Sequence, residues 1–404
     1  MKILLLNLYF PPDTSATAKM AQTVVDALCK EHEVTVVCGR PSYDPTERRS
    51  WRLWQTETSG MLQIVRVGST AFPRFNMKKR ILNYLSYVLL AVPRAMFVSC
   101  DAVVAMTDPP FEGIVGAFVA MLKGRSYIYN IRDMYPDMAV GGAIVEPGVL
   151  ARIWEKMHRW ALQRAACVIV LGEDMKNRIM AKGIEAGKIE IVRDGAEIAE
   201  DGADVPALDG EVIRKIRSGF GFVLLHAGNL GFYGAWGTLL TAARELTSEN
   251  IGFVFVGEGA QRDALASEAA GISNVGFLPF FPGSKIPSVL AAADAHLITV
   301  KRGLEGVVVP SKMYGILAAG KPIVAVAPAE TDVAVLGARQ GFGIATDPDH
   351  PAELVAAVRA LAADGNRLKQ MGAAAKEAAR GYDRVKELEK FGRIAGRIAA
   401  GEKN

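Results

Sequence analysis

Apolar and polar positions follow two patterns that alternate along this chain. Short, continuous apolar runs such as 2–8 and 33–38 are separated by longer stretches in which apolar residues recur every three or four positions, as at Met20, Val24 and Leu28. Continuous runs are typical of strands buried on both faces, and the longer spacing is typical of amphipathic helices. The alternation therefore predicts βα units and an α/β fold of doubly wound parallel sheets.

The strand pattern occurs in two series. Further strands are predicted at 62–67, 102–106, 126–130, 168–171 and 189–192, and then at 222–226, 252–256, 296–300 and 322–326. Between the series, residues 196–218 lack periodicity and predict an inter-domain connection followed by a short helix. We expect an N-terminal domain at 1–195, a C-terminal domain at 219–382, and a charged amphipathic helix at 383–400 that packs back onto the first domain. Two such sheets imply a cleft between the domains.

Composition narrows the classes of partner. The 404 residues include 47 basic and 43 acidic side chains, a surplus too small to favour nucleic acid, and no basic stripe is interleaved with aromatic residues. The four cysteines show no close pairing, which favours small core residues in a reducing cytosol over disulfides or a metal site. No apolar run reaches the roughly 20 residues that cross a bilayer. We therefore expect a cytoplasmic protein that is soluble or peripheral to the membrane.

The segment 310–322, PSKMYGILAAGKP, has the pattern of a short helix that begins at an anion site. Ser311 is the predicted N-cap, Gly320 the predicted residue after the C-cap, and Pro322 prevents continuation. Unpaired amides at a helix N-terminus favour a phosphate, and Lys312 adds a positive charge. An ordinary capped helix explains the same local pattern.

Ligands of open parallel sheets bind beyond the carboxyl ends of the strands. Four loops there are candidates, at 9–17, 107–111, 130–137 and 228–237, together with the Gly-rich turn at 256–260. No G-x-x-x-x-G-K-[ST] segment is present, which argues against a P-loop phosphotransferase.

Seven segments form a more specific set: YFPPDTSATAKM (9–20), EVTVVCGRPSY (33–43), TDPPF (107–111), IRDMYPD (131–137), HAGNLG (226–231), VGEGA (256–260) and PSKMYGILAAGKPIVA (310–325). Together they resemble the retaining glycosyltransferases of family 4. This resemblance covers nearly the whole chain and implies the GT-B fold, in which two Rossmann-like domains face each other across a cleft. The chain looks most like bacterial members that build surface polysaccharide or O-antigen.

In that family the C-terminal domain holds a nucleotide sugar and the N-terminal domain holds the acceptor. The resemblance implies donor contacts from Ser15, His226, Gly228, Asn229, Gly257, Glu258, Lys301, Arg302, Pro310, Ser311, Lys312 and Tyr314. It implies acceptor contacts from Thr107, Asp108, Tyr135 and Asp137. Neither a metal nor another cofactor is expected, since the nucleotide sugar is a co-substrate. A lone histidine with apolar neighbours, such as His226, is also typical of a core residue.

The catalytic positions depart from the family pattern. The family's two glutamates, separated by seven residues, fall on Val307 and Gly315, so the nearest acid, Glu305, is the candidate contact to the donor sugar. Arg132 and Asp133 stand where many relatives have a histidine near the reacting carbon. A solvated loop carboxylate and a buried Arg–Asp pair are the corresponding structural alternatives.

The charge clamp of the family also differs. Its diphosphate-binding arginine and lysine fall on Asn229 and Gly234. A departing diphosphate needs compensation of its negative charge, and Lys312 is the best replacement, with Lys301 and Arg302 as second choices.

The resemblance implies transfer from a nucleotide-diphosphate sugar, with UDP as the expected nucleotide, to a glycan or polyprenyl-linked acceptor. Retention in this family is attributed to same-face attack assisted by the leaving diphosphate. A sugar-nucleotide 2-epimerase of the same fold is not favoured, because no acid–His constellation can be placed in the cleft. A catalytically silent nucleotide-sugar-binding or scaffold subunit is the alternative that the changes at Asn229, Gly234 and Gly315 suggest.

Residues 74–94 join a basic cluster to an aromatic and aliphatic helix, with the basic residues at Arg74, Lys78, Lys79 and Arg80. Such a helix fits the surface of an anionic leaflet, and a lipid-linked acceptor would place the enzyme at the inner face of the cytoplasmic membrane. The alternative is a core helix in which Leu82, Leu85 and Leu89 form a buried stripe.

Overall fold

The computed structural model describes residues 1–41, 52–72, 77–198 and 207–401. The chain forms two compact units, one from Met1 to Val192 with the residues from Lys386 onward, and one from Arg193 to Val385. Arg74 of the predicted basic cluster and residues 199–206 of the predicted connection lie outside the described residues.

The first unit is a parallel α/β sheet with one antiparallel edge. Its strands are β1 (Lys2–Leu6), β2 (Glu33–Cys38), β3 (Trp54–Ser59), β4 (Leu62–Val67), β5 (Ala102–Ala105), β6 (Ser126–Asn130), β7 (Cys167–Val170) and β8 (Ile189–Ile191). Its helices are α1 (Ala16–Leu28), α2 (Met77–Met96), α3 (Glu112–Lys123), α4 (Asp137–Gly141), α5 (Val149–Arg164) and α6 (Glu173–Ala181). Over the described residues the strand order is β3-β4-β2-β1-β5-β6-β7-β8.

The second unit repeats the design with an all-parallel sheet. Its strands are β9 (Phe222–Ala227), β10 (Ile251–Val256), β11 (Val275–Leu278), β12 (Ala295–Thr299), β13 (Ile323–Val326) and β14 (Gly343–Thr346), in the order β11-β10-β9-β12-β13-β14. Its helices are α7 (Gly210–Arg217), α8 (Trp236–Glu245), α9 (Arg262–Glu268), α10 (Ile286–Ala291), α11 (Lys312–Ala318), α12 (Asp332–Gln340), α13 (Pro351–Ala363) and α14 (Gly365–Gly381). The predicted doubly wound α/β fold is confirmed in both units.

Two helices near the boundaries between the units each pack into the hydrophobic core of one unit. Val212 and Ile216 of α7 are buried against the strands and α10 of the second unit, so this helix belongs to that unit. The last helix, α15 (Arg384–Ala399), buries Phe391 and Ile394 in the core of the first unit beside Leu28 of α1. The first unit is therefore built from both ends of the chain.

One outcome for α2 contradicts the core-helix alternative. Leu82, Leu85 and Leu89 do not form a buried stripe; Leu85 is 56% exposed and Leu89 is 75% exposed. The buried face instead contains Asn83, Tyr84, Tyr87, Ala91 and Ala95, whose polar groups have partners. Within the described ranges, none of the helices combines the length and apolar character that a bilayer crossing needs.

Candidate functional site

The strand order of the second unit places a topological switch between β9 and β12. From β9 the chain proceeds to β10 and β11 on one side, and β12 then starts on the other side. Ligands of open parallel sheets bind at such a switch, beyond the carboxyl ends of the strands. The predicted donor residues Gly228 and Gly257 directly follow β9 and β10, and Lys301 is the second residue after β12, so the structure brings them to one edge.

The turns after β9 and β10 approach each other so closely that side chains are excluded. Gly257 has φ +147°, and a Cβ placed on it would lie 1.9 Å from the carbonyl oxygen of Gly228. The amide of Gly228 donates to the carbonyl of Val256 at 2.9 Å, which locks the two turns together. Gly257 is therefore required by the packing of one turn on the other, at the sheet edge where ligands of open parallel sheets bind.

Gly257→Ala is expected to destabilise the second unit by about 1–3 kcal/mol, because the new methyl group collides with backbone at a φ that L-residues rarely adopt. A lower unfolding temperature, measured by circular dichroism, checks this. Gly276→Ala in β11 is the matched control, since a Cβ there meets no atom within 4 Å. An unchanged unfolding temperature in Gly257→Ala would contradict the proposed backbone contact.

Lys312 lies at the same edge, in contact with His226. Its Nζ is 3.0 Å from Nδ1 and 3.1 Å from Nε2 of the His226 ring, and it would lie 3.6 Å from a Cβ built on Gly228. Burial lowers the pKa of Lys312 to about 7. Burial and then the Lys312 charge lower the pKa of His226 well below its usual value, so the imidazole is neutral.

The His226 ring also packs against Trp236, with ring centroids 5.0 Å apart in an edge-to-face arrangement. It is fully buried, as the core alternative requires, but its contact with Lys312 gives it a place in the candidate site. The indole nitrogen of Trp236 in turn donates to the carbonyl of Gly231 at 2.7 Å. His226 therefore positions the Lys312 ammonium beside the glycine turns.

The expected capping of α11 is correct at one end only. Ser311 has a helical backbone conformation and its side chain makes no capping hydrogen bond, so its prediction as N-cap is wrong. At the other end Gly320 has φ +64° and the amide of Lys321 bonds back to the carbonyl of Ile316, as expected. The positive charge of Lys312, rather than a capped helix end, is the feature that distinguishes this position.

Arg302 is engaged elsewhere. Its guanidinium pairs with Asp347 at 2.7 Å and with Asp349 at 2.6 Å. Its charge is therefore already compensated, which argues against the phosphate contact predicted for it. These two carboxylates form an Asp-x-Asp pair, a spacing also found at metal sites, but here they bind the arginine. Glu305 accepts a hydrogen bond from the amide of Gly303 at 2.7 Å within the loop after β12.

The remaining predicted donor residues have varied surroundings. Tyr314 is buried with its ring against Tyr382, and its hydroxyl has no hydrogen-bond partner among the described residues. Asn229 is exposed beside Gly228, and half-exposed Glu258 pairs with Arg262 at 3.3 Å. Pro310 precedes α11 and is partly buried.

Ser15 lies in the first unit, where its hydroxyl caps α1 by accepting from the amide of Ala18 at 3.0 Å. The side chain therefore has a structural task at the start of a helix. A contact with the donor stays a prediction.

The first unit has its own topological switch, between β1 and β5. Thr107 and Asp108 follow β5, while Arg132, Asp133 and Tyr135 follow its parallel neighbour β6, so the predicted acceptor and catalytic residues of this unit share one edge. The Thr107 hydroxyl is buried without a hydrogen-bond partner in the described part of the chain. Burial, and then the charge of Asp133, raise the pKa of the Tyr135 hydroxyl, which stays protonated.

Asp137 is held in an ion-pair cluster. Its carboxylate accepts from Arg178 at 2.9 Å and from Lys182 at 2.7 Å, and Lys182 also contacts Glu155 at 2.7 Å. The cluster joins the start of α4 and the middle of α5 to the end of α6. Asp137 therefore has a structural role that competes with the predicted acceptor contact.

Two groups beside this edge are absent from the sequence-based site. Trp154 of α5 stacks on Tyr135 with ring centroids 5.9 Å apart and an interplanar angle of 10°. Glu112, at the start of α3, is fully buried and accepts from the Tyr87 hydroxyl at 3.0 Å. Burial raises the pKa of Glu112 to about 8, so this carboxyl is protonated near neutral pH. Only the apolar spacing of α5 could have indicated the first, and nothing local indicated the second.

Comparisons with known proteins identify a glycosyltransferase family model for each part of the chain. Residues 16–195 match the family model of the glycosyl transferase 4-like domain, and residues 221–364 match that of the glycosyl transferases group 1. WcaI of Escherichia coli (strain K12), named for a glycosyl transferase role in colanic acid biosynthesis, is 26% identical over 377 residues, which cover 89% of this chain and 91% of WcaI.

Two solved structures illustrate the shared fold. Sucrose-phosphate synthase from Thermosynechococcus elongatus superposes with a TM-score of 0.75 at 13% identity over 100% of both chains. HepE from Anabaena, solved with UDP-glucose, superposes with a TM-score of 0.65 at 17% identity over 98% of this chain and 99% of HepE. At this identity the likeness shows a common two-unit α/β fold.

Proposed function

We propose that this chain, which belongs to the family 4-like glycosyltransferases of the GT-B fold, transfers the sugar of a UDP-sugar to an acceptor with retention of the anomeric configuration. The proposed acceptor is a glycan or a lipid-linked saccharide of surface polysaccharide synthesis. The proposed place of action is the inner face of the cytoplasmic membrane.

The proposed donor site is supported above all by the position of the Lys312 side chain beside the glycine turns. A nucleotide diphosphate carries negative charge that increases on the leaving oxygen as the glycosidic bond breaks. Gly228 is partly exposed and Gly257 is buried against it, and Lys312 lies next to Gly228 in contact with His226. This arrangement offers one cation and close backbone contact where the family uses an arginine and a lysine.

The choice of UDP and of acceptor class is supported by relatives. HepE was solved with UDP and with UDP-glucose, and a trehalose-6-phosphate enzyme of E. coli with a UDP-fluoroglucose. WcaI is named for colanic acid biosynthesis, and WaaG is described as a glycosyltransferase of lipopolysaccharide biosynthesis. A UDP-sugar donor and a cell-surface acceptor are the common elements.

In the proposed reaction the acceptor hydroxyl attacks the face from which the diphosphate leaves. The leaving oxygen takes up the acceptor proton, and Lys312 stabilises the diphosphate as its charge grows. Glu305 is the proposed contact to the donor sugar, and Arg132 and Asp133 are proposed to act near the reacting carbon. The proposal includes no resident metal or cofactor.

UDP is expected to bind at least about tenfold more tightly than GDP or ADP, whose purines would leave hydrogen-bonding groups of a uracil site unpaired, and than dTDP, which lacks the ribose 2′-hydroxyl. Isothermal titration calorimetry on the full chain measures this. UDP-sugars that bind are then incubated with membrane lipid extract, and the anomeric proton of the product is examined by NMR. Equal affinity for all four nucleotides would refute the assignment of UDP, and an inverted product would refute retention.

A further inference from the structure

We propose that an apolar pocket in the first unit binds the hydrocarbon chain of a lipid phosphate that carries the acceptor saccharide. This inference rests on the transferase function proposed above and names the chemical class of its acceptor. It depends on a cavity, an exposed apolar surface and a basic border, none of which the donor site explains.

The cavity has a volume of about 600 Å³ and lies among α2, α3, α4 and α5. Its walls are aliphatic and aromatic, with Leu85, Ile114, Ile153 and Trp154 among the lining residues. A second cavity of about 560 Å³ shares Ile114, Val115 and Met157 with the first and continues between α2 and α5. Cavities of this size accept small organic ligands, and the two together form a groove suited to a long, flexible apolar chain.

Large apolar side chains around the groove are exposed to an unusual degree. Besides Leu85 and Leu89 of α2, Leu150 of α5 is 79% exposed, and Ile153 and Met157 on the next turns are about half exposed. These positions recur every three or four residues, so they form a stripe along one face of α5. Contiguous exposed apolar surface of this kind marks a site that another apolar group covers.

The charges that α2 contributes beside the groove are all positive. Helix α2 contains Lys78, Lys79, Arg80 and Arg94 and no acidic residue. Arg80 lines the pocket itself, with its guanidinium over the Tyr84 ring at 5.4 Å and its Nε donating to the Tyr84 hydroxyl. No carboxylate among the described residues forms an ion pair with Arg80. An apolar pocket with a guanidinium in its wall complements a hydrocarbon chain that ends in a phosphate.

The pocket lies next to the edge where the acceptor is expected. Tyr135, which follows β6, and Phe111, which follows β5, both line it. A chain in the groove with its phosphate at Arg80 would therefore hold the attached saccharide near the loop that contains Arg132 and Asp133. The lipid anchor thus explains how the acceptor is oriented, since it fixes one end of the substrate.

The test uses farnesyl phosphate, below its micelle-forming concentration, and the fluorescence of Trp154 and the other tryptophans of the full-length protein. Leu85→Glu and Leu89→Glu make a matched pair: both replace an exposed leucine on α2, but only Leu85 lines the pocket. Leu85→Glu is expected to weaken binding about tenfold or more, since the carboxylate would enter the apolar site, and Leu89→Glu less than about twofold. Arg80→Gln should weaken binding of farnesyl phosphate but not of farnesol.

Equal losses in the two glutamate variants would overturn the pocket in favour of surface contact. Binding of inorganic phosphate as tight as that of farnesyl phosphate would also overturn it, as would a protein dimer by light scattering that Leu85→Glu dissociates. Calorimetry with UDP on the same samples separates the two proposals. Intact UDP binding without farnesyl phosphate binding refutes only the lipid site, whereas farnesyl phosphate binding without UDP binding refutes the transferase proposal.

Discussion

Lys312→Met is expected to weaken UDP binding by about 10- to 100-fold and to slow sugar transfer by about 100- to 1,000-fold. The weaker binding reflects the loss of a hydrogen bond to a charged group. The larger loss of rate arises because Lys312 would also stabilise the charge that develops on the leaving diphosphate. Methionine preserves the volume of the side chain and its packing against His226. Calorimetry with UDP and the initial rate of UDP release measure the two effects.

A proton linkage gives the same variant a second signature. The pKa of Lys312, lowered to about 7 by burial, lies below the roughly 10.4 of an unfolded lysine. Between these values the unfolded chain binds the extra proton, so this group lowers stability as the pH falls from about 10.4 to about 7. A bound diphosphate favours the ammonium form. At pH 8, UDP binding should therefore take up close to one proton.

Proton uptake is measured by calorimetry in buffers that differ in ionisation enthalpy. Lys321→Met is the matched control, because Lys321 is a partly buried lysine just beyond the other end of α11 and donates to the carbonyls of Ala291 and Ala293. It should keep both UDP affinity and proton uptake. If the Lys312 variant kept the affinity or the uptake of the wild type, the phosphate would have to be bound elsewhere.

The architecture was predictable because the central strands of both sheets are buried on both faces. Runs such as 33–38 and 126–130 have the same bounds in the sequence pattern and in the structure. The strands that were missed lie at sheet edges. β3 is almost wholly exposed, with the polar sequence WQTETS, while β11 and β14 are four residues long and contain glycine. The exposed β3 gives no apolar signal, and β11 and β14 are too short and too interrupted by glycine to give a continuous apolar run.

The arrangement of the candidate residues in the second unit was predictable only in part. Loops that follow parallel strands lie at one edge of the sheet, and it was therefore predictable that Gly228, Gly257 and Lys312 lie near one another. The partner of a side chain depends on distant segments, so neither the contact of Lys312 with His226 nor the ion pairs of Arg302 could be read from the local sequence. The alternative of a buried leucine stripe in α2 was wrong for a related reason. Periodicity shows which residues share a face, but the neighbouring helices decide which face is buried.

Asp137→Asn is expected to lower the stability of the first unit by about 1–3 kcal/mol, less than a fully buried pair because the cluster is partly open to solvent. The substitution keeps the shape of the side chain but removes the charge opposite Lys182, whose side chain is only 10% exposed. The unfolding temperature and a urea titration measure the loss. Glu155→Gln should cost less, because Lys182 then keeps Asp137 and the carboxylate removed is about one third exposed.

The pH dependence and a double variant distinguish this structural role from an acceptor contact. Burial alone would raise the pKa of Asp137, but its bonds with Lys182 and Arg178 outweigh this and lower it. The stabilisation is therefore full above the unfolded value of about 3.9 and is lost as the pH falls below it, where wild type and Asp137→Asn should converge. In the Lys182→Met background, Asp137→Asn should cost less than in the wild type, since its main partner is gone. A variant with unchanged stability but slower sugar transfer would instead place Asp137 at the acceptor, as the sequence suggested.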